Sequence, residues 1–353
     1  MSRRYRVGVM GGDGIGPEVT AAALVALDAA EERYGFTTER VDFAWSGAEY
    51  LRTGEHFTAA SLEPFKTLDA VLLGALGRPD VPRGLLEREV IIEGLRRGLD
   101  LYVNLRPVTL YADRLCPLAG KTAADVDFLV IRENIEDVYG VAGTTTRGGT
   151  PDESREVTMR FTRRETERII RYAFERARER PRKRLTLVDK ANAIPIQELW
   201  REVLESVGAE YPDVEREAIY VDAAAMWFVQ KPERFDVVVT TNLFGDILSD
   251  LGAALAGGLG AAAGANLHPG RVSVFEPIHG SAPKYAGRGV ASPVGAIGAL
   301  ALLLAHVGEA EAGAAVTAAL RDGLRSGRIA GVDAESGRTL DVAATVARSV
   351  REA

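Results

Sequence analysis

The sequence predicts an α/β protein built from βαβ units around a sheet that is covered on both faces. Short apolar runs alternate with longer stretches of helical periodicity, as in successive βαβ units. Several of these runs are almost continuously apolar, such as "FDVVVTT" at residues 235–241, which is typical of strands covered on both faces. The 353 residues are enough for two ordinary domains and a large buried core.

Composition and charge exclude several classes of protein. A formal net charge of −7 disfavours nucleic acid or an anionic membrane surface as a partner. The single cysteine, Cys116, excludes an internal disulfide framework and fits a reducing compartment. The sequence contains neither a signal-peptide pattern nor an apolar run of about 20 residues. We therefore expect a cytoplasmic protein.

The predicted strands are short runs bounded by turn residues. In chain order they are Tyr5–Met10, Glu39–Trp45, Ala70–Leu76, Tyr102–Val108, Phe128–Arg132, Leu185–Asp189, Ala218–Asp222 and Phe235–Thr240. One predicted helix begins near Pro17, which suits a first helical turn, and ends at Gly35. Another begins at the capping box of Thr162 and Glu165 and ends at Pro181.

Two segments and the end of the chain depart from this alternation. Residues 140–155 are polar and rich in turn residues, which predicts a projecting loop or arm. Residues 252–265 are almost entirely Gly and Ala, which fits a tightly packed helix and turn or a hinge between domains. After residue 290 the chain reads as Ala/Leu-rich helix.

The turn "GGDGIGPEV" at residues 11–19 follows the first predicted strand, where many proteins hold a dinucleotide. The dinucleotide fingerprint is G-x-G-x-x-G, but Gly12 and Gly14 are followed by Pro17 at the third position. No phosphate-binding G-x-x-x-x-G-K-[ST] loop is present either. The turn therefore does not indicate a Rossmann fold.

Two aspartates in "TNLFGDILSDL" are candidate metal ligands. If residues 244–256 are helical, Asp246 and Asp250 lie four residues apart on one face. Two like charges on one face favour a cation between them, and Mg²⁺ or Mn²⁺ suits carboxylate ligands. The alternative is a solvated acidic face.

Basic side chains supply further candidates. Arg96, Arg106 and Arg132 would bind a dicarboxylate if their guanidinium groups converged, although each alone would suit the surface. Lys190 ends a predicted strand beside Asp189, where it is either a base or half of an ion pair. The segment "EPIHGSAPKYAG" at 276–287 reads as a structured loop.

Taken in order, these stretches resemble the isocitrate/isopropylmalate dehydrogenase family of β-decarboxylating dehydrogenases, with the isopropylmalate and tartrate/malate branches most similar. The resemblance spans most of the chain and rests on "GDGIGPEV", "LDLYVNLRP", "RENIEDVY", "DKAN", "YVDAAAM", "NLFGDILSDL" and "FEPIHGSAP". It implies an isopropylmalate dehydrogenase-like two-domain fold, with a large mixed sheet flanked by helices, that is not a Rossmann fold.

The resemblance also implies an organisation. Residues 1–103 plus 257–353 would form a large domain on the cofactor side, and residues 104–256 a small domain. The small domain would carry an arm at 140–160 and the interface of a homodimer whose active sites are shared between subunits. The Gly/Ala-rich segment would then lie where the chain crosses between domains.

Roles for individual residues follow from the resemblance. Tyr139 and the Lys190 side chain of the partner subunit would be the acid–base pair. Mg²⁺ or Mn²⁺ would be held by Asp246 and Asp250 together with Asp222 from the partner subunit. The three arginines would hold the carboxylates of a malate-type substrate, and Asn192 would lie close to the nicotinamide.

In the family, the loop after "FEP" holds the adenosine half of the cofactor. The residues implied here are Glu276, His279, Gly280, Ser281, Ala282, Lys284, Tyr285 and Ser292. A cation and a phenol at Lys284 and Tyr285 suit a 2′-phosphate, which favours NADP. NAD is the alternative, because the C-terminal tyrosine and arginine of the NADP-dependent branch are absent.

The segment before Arg96 bears on substrate choice. Val90 and Ile92 are apolar and Glu93 is acidic, so a third substrate carboxylate would find no cationic partner. This favours 3-isopropylmalate and a role in leucine biosynthesis, with isocitrate, homoisocitrate and tartrate or D-malate as alternatives. A non-catalytic regulatory subunit of the same fold is the alternative from another class, disfavoured because the catalytic residue types are present.

Overall fold

The computed structural model describes residues 3–334 and 336–353. Its centre is a ten-stranded mixed sheet in the order β2-β1-β3-β12-β11-β4-β5-β10-β8-β9, and a separate hairpin is formed by β6 and β7. The strands are β1 Arg3–Gly12, β2 Phe36–Asp42, β3 Ala70–Ala75, β4 Val103–Thr109, β5 Asp127–Glu133, β6 Thr144–Thr146, β7 Ser154–Glu156, β8 Arg184–Asp189, β9 Glu215–Tyr220, β10 Val237–Thr240, β11 Ala263–Leu267 and β12 Ser273–Pro277.

Two parallel wings meet at an antiparallel centre. Strands β2, β1, β3 and β12 are parallel, and so are β5, β10, β8 and β9. Between the wings, β11 runs antiparallel to β12 and β4, and β4 runs antiparallel to β5. The wings therefore run in opposite directions. This mixed sheet confirms the fold class predicted from the sequence.

Helices cover both wings. They are α1 Gly16–Tyr34, α2 Gly47–Thr53, α3 Ala59–Leu62, a π-helix at Glu87–Arg97, α4 Arg163–Glu179, α5 Glu198–Gly208, α6 Val221–Gln230, α7 Asn242–Leu255, α8 Val294–His306, α9 Ala310–Arg325 and α10 Thr339–Glu352. Helix α1 has Pro17 in its first turn and ends at Gly35, whose φ of 70° is left-handed, as predicted. The N–H of Glu165 donates to Thr162 Oγ1 at 3.3 Å, which caps α4.

The core lies between the sheet and these helices. Helices α1 and α8 pack on the β1–β3–β12 wing, and α4 packs on β10 and β8. Phe174 and Trp200, which are both fully buried, belong to this core. None of the helices in the described chain is long and apolar enough to span a bilayer.

Several predicted boundaries were wrong. Strand β2 covers Phe36–Asp42 instead of Glu39–Trp45, and β9 ends at Tyr220, so Asp222 lies in the first turn of α6. Part of the Gly/Ala-rich segment, from Ala263, is strand β11 and not helix. The segment predicted as loop from residue 276 begins with the last two residues of β12. The polar arm contains the hairpin β6–β7.

Candidate active site

A buried arginine anchors the site at the end of β5. Arg132 is 1% exposed, and its Nε and one terminal nitrogen donate to Asn242 Oδ1 at 3.0 and 2.8 Å. Its other terminal nitrogen pairs with Asp246. A Cβ on Gly245 would lie 2.5 Å from Arg132 Cγ, so helix α7 approaches the arginine this closely because residue 245 is glycine.

Tyr139 completes this cluster. Its hydroxyl donates to Asp246 Oδ2 at 2.6 Å, and the Arg132 guanidinium lies 4.8 Å from the centre of its ring. Burial and then the hydrogen bond to Asp246 raise the pKa of Tyr139 to about 12. The phenol is therefore protonated at neutral pH and has a proton to donate.

The two aspartates of α7 differ in environment. Burial would raise the pKa of Asp246, but the charge of Arg132 and the Tyr139 hydroxyl outweigh it, and the pKa lies below its usual value. Burial and the neighbouring Asp246 charge raise the pKa of Asp250. No group of three or more His, Cys, Asp and Glu side chains within residues 3–334 and 336–353 could hold a metal ion. A metal ion on this pair would need a further ligand.

Arg96 and Arg106 line a cleft beside this cluster. Arg96 lies in the last turn of the π-helix, and Arg106 lies in the middle of β4. Their guanidinium groups are buried, and a terminal nitrogen of Arg96 lies 3.9 Å from Glu276 Oε1. Burial and the charge of Arg132 lower the pKa of Arg96 to about 10 and lower that of Arg106. This cleft favours an anion.

Lys190 and Asp222 form a second cluster. Lys190 Nζ donates to Asp222 Oδ1 at 2.6 Å, and Asp189 pairs instead with Arg201 at 2.7 Å. Within the described chain, neither Lys190 nor Asp222 makes a hydrogen bond or ion pair to Tyr139 or the α7 aspartates. Asn192 is exposed close by. The acid–base pair inferred from the resemblance is thus divided between two places in one chain.

The glycine-rich turn contacts the 276–287 loop. The N–H of Ile15 donates to the carbonyl of Ser281 at 2.8 Å, and Gly14 has a φ of +60°. A Cβ on Gly14 would lie 1.9 Å from that same carbonyl, so this contact requires glycine. The turn therefore supports the loop directly.

Other polar groups of that loop and its surroundings are available to a ligand. His279 Nε2 and Ser292 Oγ are buried and make no hydrogen bond within the described residues. Exposed Lys284 places its Nζ 4.6 Å from the centre of the Tyr285 ring. A nucleotide has groups that can form hydrogen bonds with His279 and Ser292, and its phosphates would supply negative charge to Lys284.

Comparison with known proteins identifies the family. The model described as isocitrate/isopropylmalate dehydrogenase matches residues 6–346. The chain belongs to the isocitrate/isopropylmalate dehydrogenase family. It is therefore a β-decarboxylating dehydrogenase that acts on a hydroxy acid, and members of this family use a divalent metal ion and a nicotinamide dinucleotide.

Sequence similarity to known dehydrogenases covers nearly the whole chain. A 3-isopropylmalate dehydrogenase of Thermobifida fusca is 47% identical over 327 residues, 92% of each chain, and one of Streptomyces griseus is 45% identical, covering 97% of this chain and 99% of the relative. The isocitrate dehydrogenase structure from Methylococcus capsulatus is 34% identical, with a TM-score of 0.87 over 98% of this chain and 99% of that one. A β-decarboxylating dehydrogenase from Thermococcus kodakarensis is 32% identical, with a TM-score of 0.78 over 99% and 96%.

The structure corrects one substrate residue of the dehydrogenase. Val90 is 2% exposed and packs in an apolar cluster with Met10 and Leu73, so it does not line the cleft. Ile91 and Glu87 line the cleft with Arg96 and Arg106. The wide turns of the π-helix set which side chain faces the arginines, and they place Ile91, not Val90, in the cleft.

Ile92, the other predicted pocket residue, lies nearer the tyrosine. Its Cγ2 atom is 2.7 Å from the position that a Cβ on Gly140 would occupy, next to Tyr139. Sequence reasoning also missed Asn242 and the asparagines near Arg106. Asparagine is disfavoured in strands, so "VNLRPV" and "AGANL" carried a signal that could have revealed two of them.

Proposed function

We propose that this enzyme oxidises and decarboxylates 3-isopropylmalate, with NADP as the hydride acceptor and Mg²⁺ or Mn²⁺ as the metal. The observation that carries the proposal is the cleft in which Ile91 and Glu87 face two buried arginines. The arginines suit two carboxylates, while an apolar and an acidic side chain favour an isopropyl group over a third carboxylate. The names of the relatives support the same substrate.

Asp246 and Asp250, with Asp222 from a partner subunit, are the proposed metal ligands. Carboxylate oxygens suit a hard divalent cation. A bound cation would also reduce the repulsion between the two negative charges on α7. When bound, the metal ion polarises the oxygen at C2 as a Lewis acid, and the nicotinamide accepts the hydride.

The protein's own side chains would orient the substrate and move two protons. Arg96, Arg106 and Arg132 hold the carboxylates and so orient C2 for hydride transfer. The partner's Lys190, in its neutral amine form, accepts the proton of the C2 hydroxyl and becomes an ammonium. After loss of CO₂, Tyr139 donates its phenolic proton to the enol carbon, as its raised pKa allows.

A homodimer would bring the two clusters together. Helices α6 and α7 pack against each other, and each bears exposed apolar side chains: Met226 at 46%, Val229 at 42% and Ile247 at 60% exposure. Asp222 lies on α6 and Asp246 on α7. We infer that a second copy covers this apolar face and delivers Lys190 and Asp222 to the α7 aspartates.

The proposed domains fit this arrangement. Residues 104–256, with the arm at 140–160 and both clusters, would move as a small domain against residues 1–103 plus 257–353. Closure would exclude water from the enolate. The two crossings would fall at the start of β4 and just after α7, which ends at Leu255.

The cofactor proposal rests on Lys284 and Tyr285, whose cation and phenol suit a 2′-phosphate. Glu276, His279, Gly280, Ser281, Ala282 and Ser292 would hold the rest of the adenosine half. Leucine biosynthesis is the pathway that the substrate would serve. The cytoplasmic location stays a prediction from the sequence.

Turnover of candidate acids tests the proposal. Purified protein with Mg²⁺ or Mn²⁺ is assayed for nicotinamide reduction with NAD or NADP against 3-isopropylmalate, isocitrate, homoisocitrate, D-malate and tartrate. We expect the highest kcat/KM with 3-isopropylmalate and NADP. Preference for isocitrate would overturn the proposal that Ile91 faces an isopropyl group. Preference for NAD would overturn the proposal that Lys284 binds a 2′-phosphate. Lys190→Met should abolish turnover, whereas Lys121→Met, at a surface ion pair with Glu233, should not.

A further inference from the structure

Three buried asparagines lie between Arg106 and Glu276 in the sheet centre. Asn104 is on β4, Asn134 directly follows β5, and Asn266 is on β11; they are 1%, 2% and 3% exposed. Asn104 and Asn266 face each other in the ladder between β4 and β11. These side chains thus come from three adjacent strand segments and meet in one place.

Their hydrogen bonds form a continuous network. Asn104 Nδ2 donates to Asn266 Oδ1 at 3.0 Å and to Asn134 Oδ1 at 3.2 Å, and Asn134 Nδ2 donates to Asn266 Oδ1 at 3.0 Å. At one end, Arg106 Nε donates to Asn104 Oδ1 at 2.6 Å. At the other end, Asn266 Nδ2 donates to Glu276 Oε1 at 2.8 Å.

The two ends fix the direction of every bond. An arginine only donates and a carboxylate only accepts, so Asn104 must turn its oxygen to Arg106 and Asn266 its nitrogen to Glu276. Asn134 is fixed as well, because its Nδ2 also donates to the Leu101 carbonyl at 2.8 Å. A buried network with one consistent direction is rigid, since rotating any amide would leave buried groups unpaired.

We propose that Asn104, Asn134 and Asn266 are positioning residues that hold Arg106 and Glu276 in one fixed relation. The proposal rests on the proposed function, in which Arg106 binds a substrate carboxylate and Glu276 belongs to the cofactor loop. It also crosses the proposed domain boundary, because Asn104 and Asn134 lie in residues 104–256 and Asn266 lies outside them. The network therefore couples Arg106, in the proposed small domain, to Glu276 of the cofactor loop, in the proposed large domain, so that the two groups stay aligned at the domain boundary.

Asn266→Asp tests the network because it changes one donor and little volume. The new carboxylate still accepts from Asn104 and Asn134, but it cannot donate to Glu276 unless it is protonated. The charged groups that act on Glu276 from neighbouring elements are Arg96, Arg106 and His279. Like charge beside Glu276 favours uptake of one proton as the pH falls, which restores the donor.

The primary measurement is kcat and KM for 3-isopropylmalate from pH 6 to pH 9. We expect the kcat/KM of Asn266→Asp, divided by that of the wild type, to be lower by on the order of tenfold at pH 9 and to recover towards pH 6. The control is Thr186→Val, which removes a partly buried hydrogen bond of 3.1 Å from Thr186 on β8 to Glu217 on β9. Its ratio should not change with pH. A flat ratio for Asn266→Asp would overturn the proposal.

A double variant separates this proposal from the proposed function. Adding Glu276→Gln to Asn266→Asp supplies an amide that donates to the new carboxylate, so the contact is restored in the reverse direction. We expect the unfolding temperature of Asn266→Asp to fall below that of the wild type mainly at alkaline pH, and the double variant to lose that pH dependence. If the wild type turns over none of the acids, the proposed function fails and these temperatures still decide whether the network holds Glu276. If the double variant keeps the pH dependence of the unfolding temperature, the proposed positioning role of the network is refuted, whichever acid is the substrate.

Discussion

Replacing Tyr139 by phenylalanine should separate catalysis from folding. The substitution removes the hydroxyl that donates to Asp246 at 2.6 Å and leaves the ring beside Arg132. A hydrogen bond to a charged group contributes about 1.5–3 kcal/mol. The Asp246 side chain is 43% exposed, so solvent screening reduces the expected loss of stability to about 1–2 kcal/mol.

The expected catalytic loss is larger than the loss of stability. A positioned general acid contributes roughly 10²- to 10⁴-fold to rate, or about 3–5 kcal/mol of activation free energy. We therefore expect kcat to fall by that factor, while KM for the hydroxy acid changes little because the arginines remain. Since the pKa of Tyr139 is raised to about 12, the tyrosine should not cause a loss of wild-type activity between pH 6 and pH 10.

The assay is steady-state nicotinamide reduction with unfolding temperatures measured in parallel. Tyr5→Phe is the matched control, because its hydroxyl donates to Glu309 at 2.8 Å far along the sheet from the arginine cleft. It should lose comparable stability and keep wild-type kcat. A kcat of Tyr139→Phe within about threefold of wild type would refute the role of proton donor. A raised KM with unchanged kcat would indicate a binding role instead.

Three further changes probe the loop contact, a buried carboxyl and the apolar face. Gly14→Ala should weaken dinucleotide binding, because the new Cβ would meet the Ser281 carbonyl; binding is measured by cofactor fluorescence. The control is Gly54→Ala, whose Cβ meets nothing within 4 Å. It should lose only about 1 kcal/mol of stability to backbone strain. Burial raises the pKa of Glu133 to about 7, so its contribution to stability is lost as the pH rises from 4.5 through 7. Glu133→Gln should remove up to about 3 kcal/mol of this dependence in unfolding temperatures recorded from pH 5 to pH 8, and an unchanged slope would contradict the assignment. Ile247→Lys should produce an inactive monomer by light scattering, and an active monomer would disprove the shared site.

The sequence predicted the type of site better than its exact lining. Arg132, Tyr139 and Asp246 could be identified because each lies in a motif, although 107 residues separate the last two. Val90 and Ile92 were named from the sequence while Ile91 was not, because the helical period decides which side chain faces the arginines and a π-helix has no recognisable sequence signal.

Strand β11 was missed for a different reason. Its sequence, "AGANL", has small residues and none of the β-branched or aromatic side chains that mark strands. Its pairing with β12 and β4 on either side determines its conformation. Long-range pairing of this kind is not encoded in local propensity, which is also why the network through Asn266 could not be predicted.

The charges of the cleft explain why metal ion and substrate would be needed together. The guanidinium groups of Arg96, Arg106 and Arg132 act on the carboxyl groups of Asp246 and Glu276 within one buried region. A malate-type dianion alone would bring negative charge to the α7 aspartates, and a divalent cation alone would bring positive charge to the arginines. Together they add no net charge, so each reduces the electrostatic cost of burying the other. This balance accounts for a site that combines buried arginines with aspartates on one helix.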